Sequence, residues 1–159
     1  LERRGLSGAI KAQAQAGKPI LGICIGLQLF FESSEESPGV AGLGLLPGAN
    51  RRFQGPAFGA QGLKVPQIGW NALRFSRLHP VFEGLGHEPF VYFVHSYHAC
   101  PGQDQDLIAR SDYGLPFCAA AGRGNIVGCQ FHPEKSQQTG LKILKNFLAW
   151  TSQLPRPAT

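Results

Sequence analysis

The sequence predicts a single α/β domain, and three patterns along its 159 residues indicate this class. First, residues 19–23 form a short apolar run between turn-forming residues, which is typical of a strand buried on both faces. Second, helical patterns precede this run and follow it. Third, the later part of the chain is rich in strand candidates and ends in an amphipathic helix, so helices and strands share one chain.

The elements are predicted in chain order as follows. Residues 1–17 carry Leu6, Ile10 and Ala14 at helical spacing, and a helix that ends in several glutamates starts after Cys24. Strand candidates are residues 51–53, 64–75, 90–99, 106–110, 117–121 and 125–131. In the last helix, 140–150, one stripe contains Leu141, Leu144 and Leu148, with Ile143 and Phe147 beside it, and we expect this stripe to contact the sheet.

Composition excludes several classes of protein. Apolar residues make up 43% and charged residues 16%, as in a folded globular chain, and no apolar run is long enough to span a membrane. The net charge of +5 comes from scattered basic residues, so we expect no nucleic-acid partner. The amino terminus is neither an apolar signal core nor followed by one, so we expect a cytoplasmic protein. We expect one domain over 1–152 and a frayed tail over 153–159, where nothing is available to bury.

The four cysteines show no C-x-x-C spacing, so neither a zinc finger nor a disulfide framework is predicted. A metal site from His95, His98 and Cys100 is a weak alternative, because adjacent strand residues point to opposite faces. We therefore expect no metal.

One cysteine has a special setting. Gly22-Ile23-Cys24-Ile25-Gly26 joins the buried strand directly to a helix, which is the sulfur version of the G-x-S-x-G nucleophile elbow. The following helix should lower the pKa of the Cys24 thiol, and the backbone N–H of Ile25 is a candidate oxyanion donor. The alternative is a small buried cysteine in a tight turn.

A base for such a nucleophile is found near the carboxyl end. His132 follows the apolar strand 125–131, at the kind of strand end where α/β folds keep their sites. Glu134 lies two residues later, after Pro133, so its carboxylate can hold one imidazole nitrogen while the other faces Cys24. On its own, His-Pro-Glu is more often a turn than a catalytic pair.

Together, these motifs resemble a known family. The matching stretches are PILGICIGLQLFFESSEE (19–36), GLGLLPGANRRF (42–53), VPQIGWNAL (65–73), YFVHSYHA (92–99) and GCQFHPEKS (128–136). They are similar to the glutaminase subunits of imidazole glycerol phosphate synthase, which are class I (triad) glutamine amidotransferases of histidine biosynthesis. The resemblance covers nearly the whole chain.

The resemblance implies a flavodoxin-like α/β fold with a mixed, mostly parallel sheet, flanking helices and added antiparallel strands. Family members begin with a strand, a helix and a glycine-rich oxyanion loop, and we expect these to be missing before Leu1. It further implies that Cys24, His132 and Glu134 are catalytic and that Gln28, Glu36, Ser96 and Tyr97 hold glutamine. Solvated helix residues remain the alternative for Gln28 and Glu36.

The resemblance also implies a partner. Tyr92, Lys135 and Trp70 fall at positions near the interface with a (β/α)₈-barrel cyclase, which forms a heterodimer with the glutaminase and uses its ammonia. For Trp70 and Tyr92, simple core packing is an equal alternative. No cofactor is implied for the glutaminase.

Two rival functions are weighed against this one. An amidotransferase of anthranilate, aminodeoxychorismate or guanylate synthesis would share the elbow and His-Pro-Glu, but 65–73 and 92–99 argue against it. A docking module without activity would have little reason to keep Cys24, His132 and Glu134 together.

Overall fold

A computed structural model describes residues 5–154, so residues 155–159 of the predicted tail and the start of the first predicted helix lie outside it. The helices are α1 (Leu6–Gln15), α2 (Ile25–Leu29) and α3 (Gln137–Thr151). The strands are β1 (Ile20–Ile23), β2 (Ser33–Ser34), β3 (Gly48–Arg52), β4 (Gln67–Ala72), β5 (Arg74–Phe75), β6 (Phe90–His95), β7 (Tyr97–Pro101), β8 (Leu107–Asp112), β9 (Pro116–Arg123) and β10 (Ile126–Cys129). None of these helices is long and apolar enough to cross a membrane.

Eight strands form the main sheet, in the order β1-β10-β9-β7-β3-β2, with β8 pairing with both β9 and β5. The remaining two strands, β4 and β6, make a separate antiparallel sheet. The predicted α/β class and the mixed sheet are confirmed.

The sheet contains more antiparallel pairing than the predicted mostly parallel arrangement. Only the β1–β10 and β2–β3 ladders are parallel among the described residues. The other ladders are antiparallel, because short connections such as Gly124-Asn125 between β9 and β10 reverse the chain direction. Parallel pairing is therefore found beside the elbow, where β1 and β10 lie side by side and end together.

Apolar clusters cover both faces of the main sheet. On one face, Leu27, Phe30 and Phe31 are buried against Leu46, and α1 contributes Ile10. On the other face, a larger cluster joins the β4–β6 sheet to α3; its fully buried members include Phe93, Ile108, Phe131 and Ile143. The strand ends that carry the predicted site are thus held from both sides.

The predicted strand 90–99 is broken at Ser96, where the chain passes from one sheet to the other. Residues before it belong to β6 in the small sheet, whereas residues after it belong to β7 in the main sheet. The Ser96 carbonyl accepts a hydrogen bond from the Phe53 N–H at 3.0 Å. One continuous segment therefore couples the two sheets.

The buried face of α3 is not the predicted one. Leu141 and Leu148 are 57% and 68% exposed, whereas Ile143 is fully buried and Trp150 is nearly so. Both stripes have helical spacing, so periodicity does not choose between them. The burying face is selected by Gly140, where an added Cβ would collide with the Pro133 carbonyl.

Candidate active site

Cys24 lies in strained backbone geometry at the junction of β1 and α2. Its φ of 51° and ψ of −107° are unusual for a residue with a side chain. A Cβ on Gly22 would lie 2.7 Å from both the Gly26 carbonyl carbon and a ring atom of Phe30, so this side of the turn has no space for a side chain. A Cβ on Gly26 would meet no atom within 4 Å. Close contact therefore explains Gly22, while Gly26 borders open space.

The Cys24 sulfur is half-buried and has identified neighbours. Gln130 Nε2 lies 3.7 Å from it and the Val94 carbonyl oxygen 3.9 Å from it. Burial raises the pKa of Cys24 above its ordinary value, although hydrogen bonds from the Ile25 N–H and from Gln130 act in the opposite direction. The predicted lowering of this pKa is wrong because α2 has only five residues, too few for a strong helix dipole to offset burial.

His132 and Glu134 are joined as predicted. The Nδ1 of His132 lies 2.6 Å from Oε1 of Glu134, within the turn that starts at Pro133. The backbone N–H of His132 donates to the Tyr92 carbonyl at 2.9 Å. Ser136 adds a second tie, since its hydroxyl donates to the His132 carbonyl at 2.7 Å and accepts from the Tyr92 N–H at 3.0 Å. The backbone of His132 is therefore fixed to β6, and its imidazole is held by Glu134.

The structure brings Cys24 and His132 to the same end of the sheet. Cys24 donates its backbone N–H to the Cys129 carbonyl at 2.8 Å, and His132 follows Cys129 by three residues. Both residues also contact β6, Cys24 through the Val94 carbonyl and His132 through that of Tyr92. Since residues two apart in a strand are separated by about 7 Å, these contacts place Cys24 and His132 near each other at this end of the sheet. Over residues 5–154, no hydrogen bond joins the two side chains directly.

Two of the predicted glutamine-binding residues line one pocket. Gln28 and Glu36 border a cavity of about 110 Å³ together with Ile25, whose backbone N–H faces the sulfur. Ser96 and Tyr97 are half-buried and do not line this cavity. Tyr97 reaches it indirectly, because its carbonyl accepts a 2.8 Å hydrogen bond from Nε2 of Gln28.

Two buried amides at this site were not among the predicted residues. Gln130 is fully buried and connects Gln28 to the sulfur, since its Oε1 lies 3.0 Å from Gln28 Nε2. Asn50 donates to the carbonyls of Gln28 and Ser33 at 2.9 and 3.1 Å, which ties α2 to β2. The position of Gln130 between Cys129 and the His132 motif was the available signal for the first residue. Nothing in the sequence around Asn50 marked the second.

The outer face of the β4–β6 sheet lies beside Cys24 and His132, which both contact β6, and it is largely apolar. Ile68, Trp70 and Phe90 are 62%, 42% and 58% exposed. The Trp70 ring meets that of Tyr92 edge-on at 5.8 Å, and the Lys135 ammonium lies 6.0 Å from the Tyr92 ring centre. The core alternative is therefore wrong for Trp70. Among the described residues, no cluster of three side chains suited to metal binding occurs, so His95, His98 and Cys100 do not form one.

Comparison with known proteins agrees with this geometry. Residues 2–150 match the family "Glutamine amidotransferase class-I". The chain is 52% identical over 147 residues to imidazole glycerol phosphate synthase subunit HisH of Sulfurimonas denitrificans, covering 92% of this chain and 70% of that protein. The HisH subunit of Moorella thermoacetica is 48% identical over 147 residues, with 92% and 67% covered.

Solved structures show the same fold at low identity. A glutamine amidotransferase crystal structure superposes with a TM-score of 0.67 at 20% identity, over 95% of this chain and 70% of that one. A glutamine amidotransferase from Thermotoga maritima gives a TM-score of 0.59 at 17% identity, over 94% and 55%. The family match and the close relatives agree with the elbow and the His-Pro-Glu turn, and the chain belongs to the class I glutamine amidotransferase family, among the HisH subunits of imidazole glycerol phosphate synthase.

Proposed function

We propose that this chain is the glutaminase half of imidazole glycerol phosphate synthase and hydrolyses glutamine to glutamate and ammonia in cytoplasmic histidine biosynthesis. The observation that carries the proposal is the strained Cys24 elbow, at the same sheet end as the His132–Glu134 pair. A thiol on a strained strand–helix turn, beside an imidazole held by a carboxylate, is the arrangement that acyl transfer through sulfur requires.

In the first half of the reaction, the Cys24 thiolate attacks the carboxamide carbon of glutamine and a C–S bond forms. The resulting oxyanion is stabilised by backbone donors, and the Ile25 N–H is the one this segment supplies. The C–N bond then breaks. His132, in its protonated form, gives its proton to the departing nitrogen, so that ammonia leaves and a glutamyl thioester remains.

In the second half, His132 acts as a base. It takes a proton from water, the hydroxide attacks the thioester carbon, and the C–S bond breaks to release glutamate and restore the thiolate. Glu134 holds Nδ1 of His132 at 2.6 Å, which leaves Nε2 to exchange protons in both halves.

The pocket beside Ile25 suits a glutamine. Glu36 supplies a carboxylate for the α-ammonium group of the substrate, and Gln28 supplies a polar side chain next to the nucleophile. Both amide hydrogens of Gln28 face internal acceptors, so its contribution to substrate is limited to the amide oxygen and to holding the site in place. Ser96 and Tyr97 complete the binding site from the junction of β6 and β7.

The outer face of the β4–β6 sheet is the proposed docking surface for a (β/α)₈-barrel cyclase, with Trp70, Tyr92 and Lys135 at its centre. A soluble protein rarely leaves several large apolar side chains exposed together unless a partner covers them. The Tyr92 carbonyl accepts a hydrogen bond from the backbone N–H of His132, so a partner that contacts Tyr92 would be linked to the catalytic base through this single bond. Ammonia made at this cleft would pass to that partner.

Glutamate release from glutamine, measured with and without a cyclase subunit, tests the activity. The parent protein should release glutamate with the cyclase present, and Cys24→Ala should abolish the release because no nucleophile remains. Cys100→Ala, which removes a half-buried cysteine outside the cleft, serves as the control and should keep the parent rate. Undiminished release by Cys24→Ala would overturn the assignment.

The docking surface has a separate test. Trp70→Ala should weaken binding of the cyclase subunit by tenfold or more, because aromatic anchors near the centre of an interface contribute about 2 kcal/mol or more. Leu148→Ala removes a more exposed apolar side chain from the outer face of α3 and should leave affinity unchanged. Titration calorimetry with both variants decides, and equal affinities would place the interface elsewhere.

A further inference from the structure

A row of buried hydrogen bonds leads from a backbone carbonyl to the nucleophile. The Tyr97 carbonyl accepts from Gln28 Nε2 at 2.8 Å, Gln28 Nε2 lies 3.0 Å from Gln130 Oε1, and Gln130 Nε2 lies 3.7 Å from the Cys24 sulfur. Gln28 is 6% exposed and Gln130 is fully buried. No water is needed to complete the row, since each polar end meets the next.

The first bond determines the orientation of every later group. A backbone carbonyl only accepts, so the Gln28 atom that faces Tyr97 must be the amide nitrogen. That nitrogen also faces Gln130, so the Gln130 atom nearest to it must be the oxygen. The remaining end of the Gln130 amide, its NH₂ group, is then the end that faces the Cys24 sulfur.

The position of Gln130 is fixed by the backbone as well. Its N–H donates to the Ala119 carbonyl at 2.8 Å, which holds the end of β10 against β9. The side chain is therefore held at both ends: by strand pairing at the backbone and by Gln28 at the amide. A buried amide turned the other way would leave an oxygen facing sulfur and a nitrogen facing a nitrogen, which is costly in a buried site.

We propose that Gln130 is a further residue of the active site, whose oriented N–H donates to the Cys24 thiolate, and that Gln28 sets this orientation from the Tyr97 carbonyl. The inference deepens the proposed glutaminase function by assigning a thiolate donor at the same site. Gln28 then has two roles, contact with substrate and orientation of the Gln130 amide. The N–H of Ile25 and the amide of Gln130 then approach the sulfur together and partly offset the burial that raises the pKa of Cys24.

Alkylation of Cys24 by iodoacetamide tests the donor directly, because the thiolate displaces iodide and the rate follows the thiolate fraction. In Gln130→Leu, which keeps the approximate volume but removes the donor, the midpoint of the rate-against-pH curve should move to higher pH. Loss of a hydrogen bond to the thiolate should lower the thiolate fraction at pH 7 about tenfold. The remaining thiolate is more basic and therefore more nucleophilic, which recovers part of the rate, so alkylation at pH 7 should slow about threefold. Peptide mapping separates Cys24 from the other cysteines.

Gln67→Leu is the matched control. Gln67 is also a fully buried glutamine, but its side chain bonds to His95 and does not contact Cys24. Its alkylation curve should coincide with that of the parent. Gln28→Met should shift the curve in the same direction as Gln130→Leu, because it releases the Gln130 amide to rotate. If Gln130→Leu does not fold, as judged by loss of cooperative unfolding, Gln28→Met decides the question alone.

Parent-like curves in folded Gln130→Leu or, failing that, in Gln28→Met would overturn the inference. This readout needs neither glutamine nor a cyclase, so it stands apart from the test of function. A parent protein that releases no glutamate with a cyclase refutes the glutaminase proposal, whatever the alkylation curves show. A parent that releases glutamate, with unshifted curves for the variants, refutes only the role of Gln130.

Discussion

At the residue scale, the backbone of the nucleophile is strained, and its neighbours hold it in that conformation. Cys24 occupies positive φ even though it has a side chain, and such a conformation costs on the order of 1–3 kcal/mol. It persists because β1 is held in register with β10 before it and Leu27 is fully buried after it. Gly22 is in close contact with other atoms, whereas Gly26 borders open space, and the effect of this difference on stability can be measured.

Gly22→Ala should lower the free energy of unfolding by about 1–3 kcal/mol and reduce glutaminase activity, because its Cβ would overlap the Gly26 backbone and Phe30. Gly26→Ala is the matched control. Its Cβ meets open space within a helix, where alanine is favoured, so its stability should not fall. Urea denaturation of both variants provides the comparison, and equal losses would contradict the assigned contact.

At the element scale, α3 holds the catalytic turn in place by a face that periodicity alone does not identify. Its first residues approach the Pro133 carbonyl closely enough to require Gly140, which brings the helix against the turn carrying His132 and Glu134. Ile143 and Trp150 then point into the cluster that also contains Phe131. A change in this face therefore acts on the base as well as on stability.

Ile143→Ala should cost about 3 kcal/mol, since it removes a fully buried side chain and leaves a cavity in a closely packed core. Leu148→Ala, from the stripe that the sequence favoured, should change stability by less than about 0.5 kcal/mol because Leu148 is 68% exposed. Equilibrium unfolding in urea separates the two. A larger loss for Leu148→Ala would restore the original assignment of the buried face.

At the scale of the whole molecule, the two sheets are joined around a buried histidine. His95 ends β6, and its Nδ1 donates to the Tyr97 carbonyl at 2.8 Å. In the neutral ring Nε2 then carries no proton, and it lies 2.9 Å from the side-chain amide of Gln67 in β4. Burial lowers the pKa of His95 from 6.5 to about 4, although the bond to Tyr97 acts in the opposite direction. Burial lowers the pKa of His79 to about 4 in the same way. Neutral histidine is thus part of the folded state.

This burial predicts acid sensitivity. Unfolded chains bind a proton at His95 near pH 6.5, whereas the folded chain does so only near pH 4, so stability is lost as the pH falls between these values. At pH 5 the loss from His95 is about 2 kcal/mol, and His95→Gln should flatten the stability curve by about 1.4 kcal/mol per pH unit. His87→Gln, which removes a histidine from an exposed loop, is the comparison variant. Urea titrations from pH 7 to 4.5 measure these slopes, and an unchanged slope in His95→Gln would refute this account.

The sequence by itself determined the family, the elbow and the His-Pro-Glu turn, because each depends on residues close together in the chain. Local spacing also predicted β1, β10 and most of the other strands. It did not determine how they pair: the break at Ser96 and the dominance of antiparallel ladders depend on which strands meet in space.

Only the tertiary structure decided the features that depend on distant contacts. The buried face of α3 is set by Pro133, and the pKa of Cys24 is set by burial rather than by its short helix. The orientation of Gln130 is fixed through Gln28 by a carbonyl 33 residues away at Tyr97. The pKa of a side chain, its burial and the orientation of its amide depend on all the elements that pack around it. Periodicity along one segment carries no information about those neighbours.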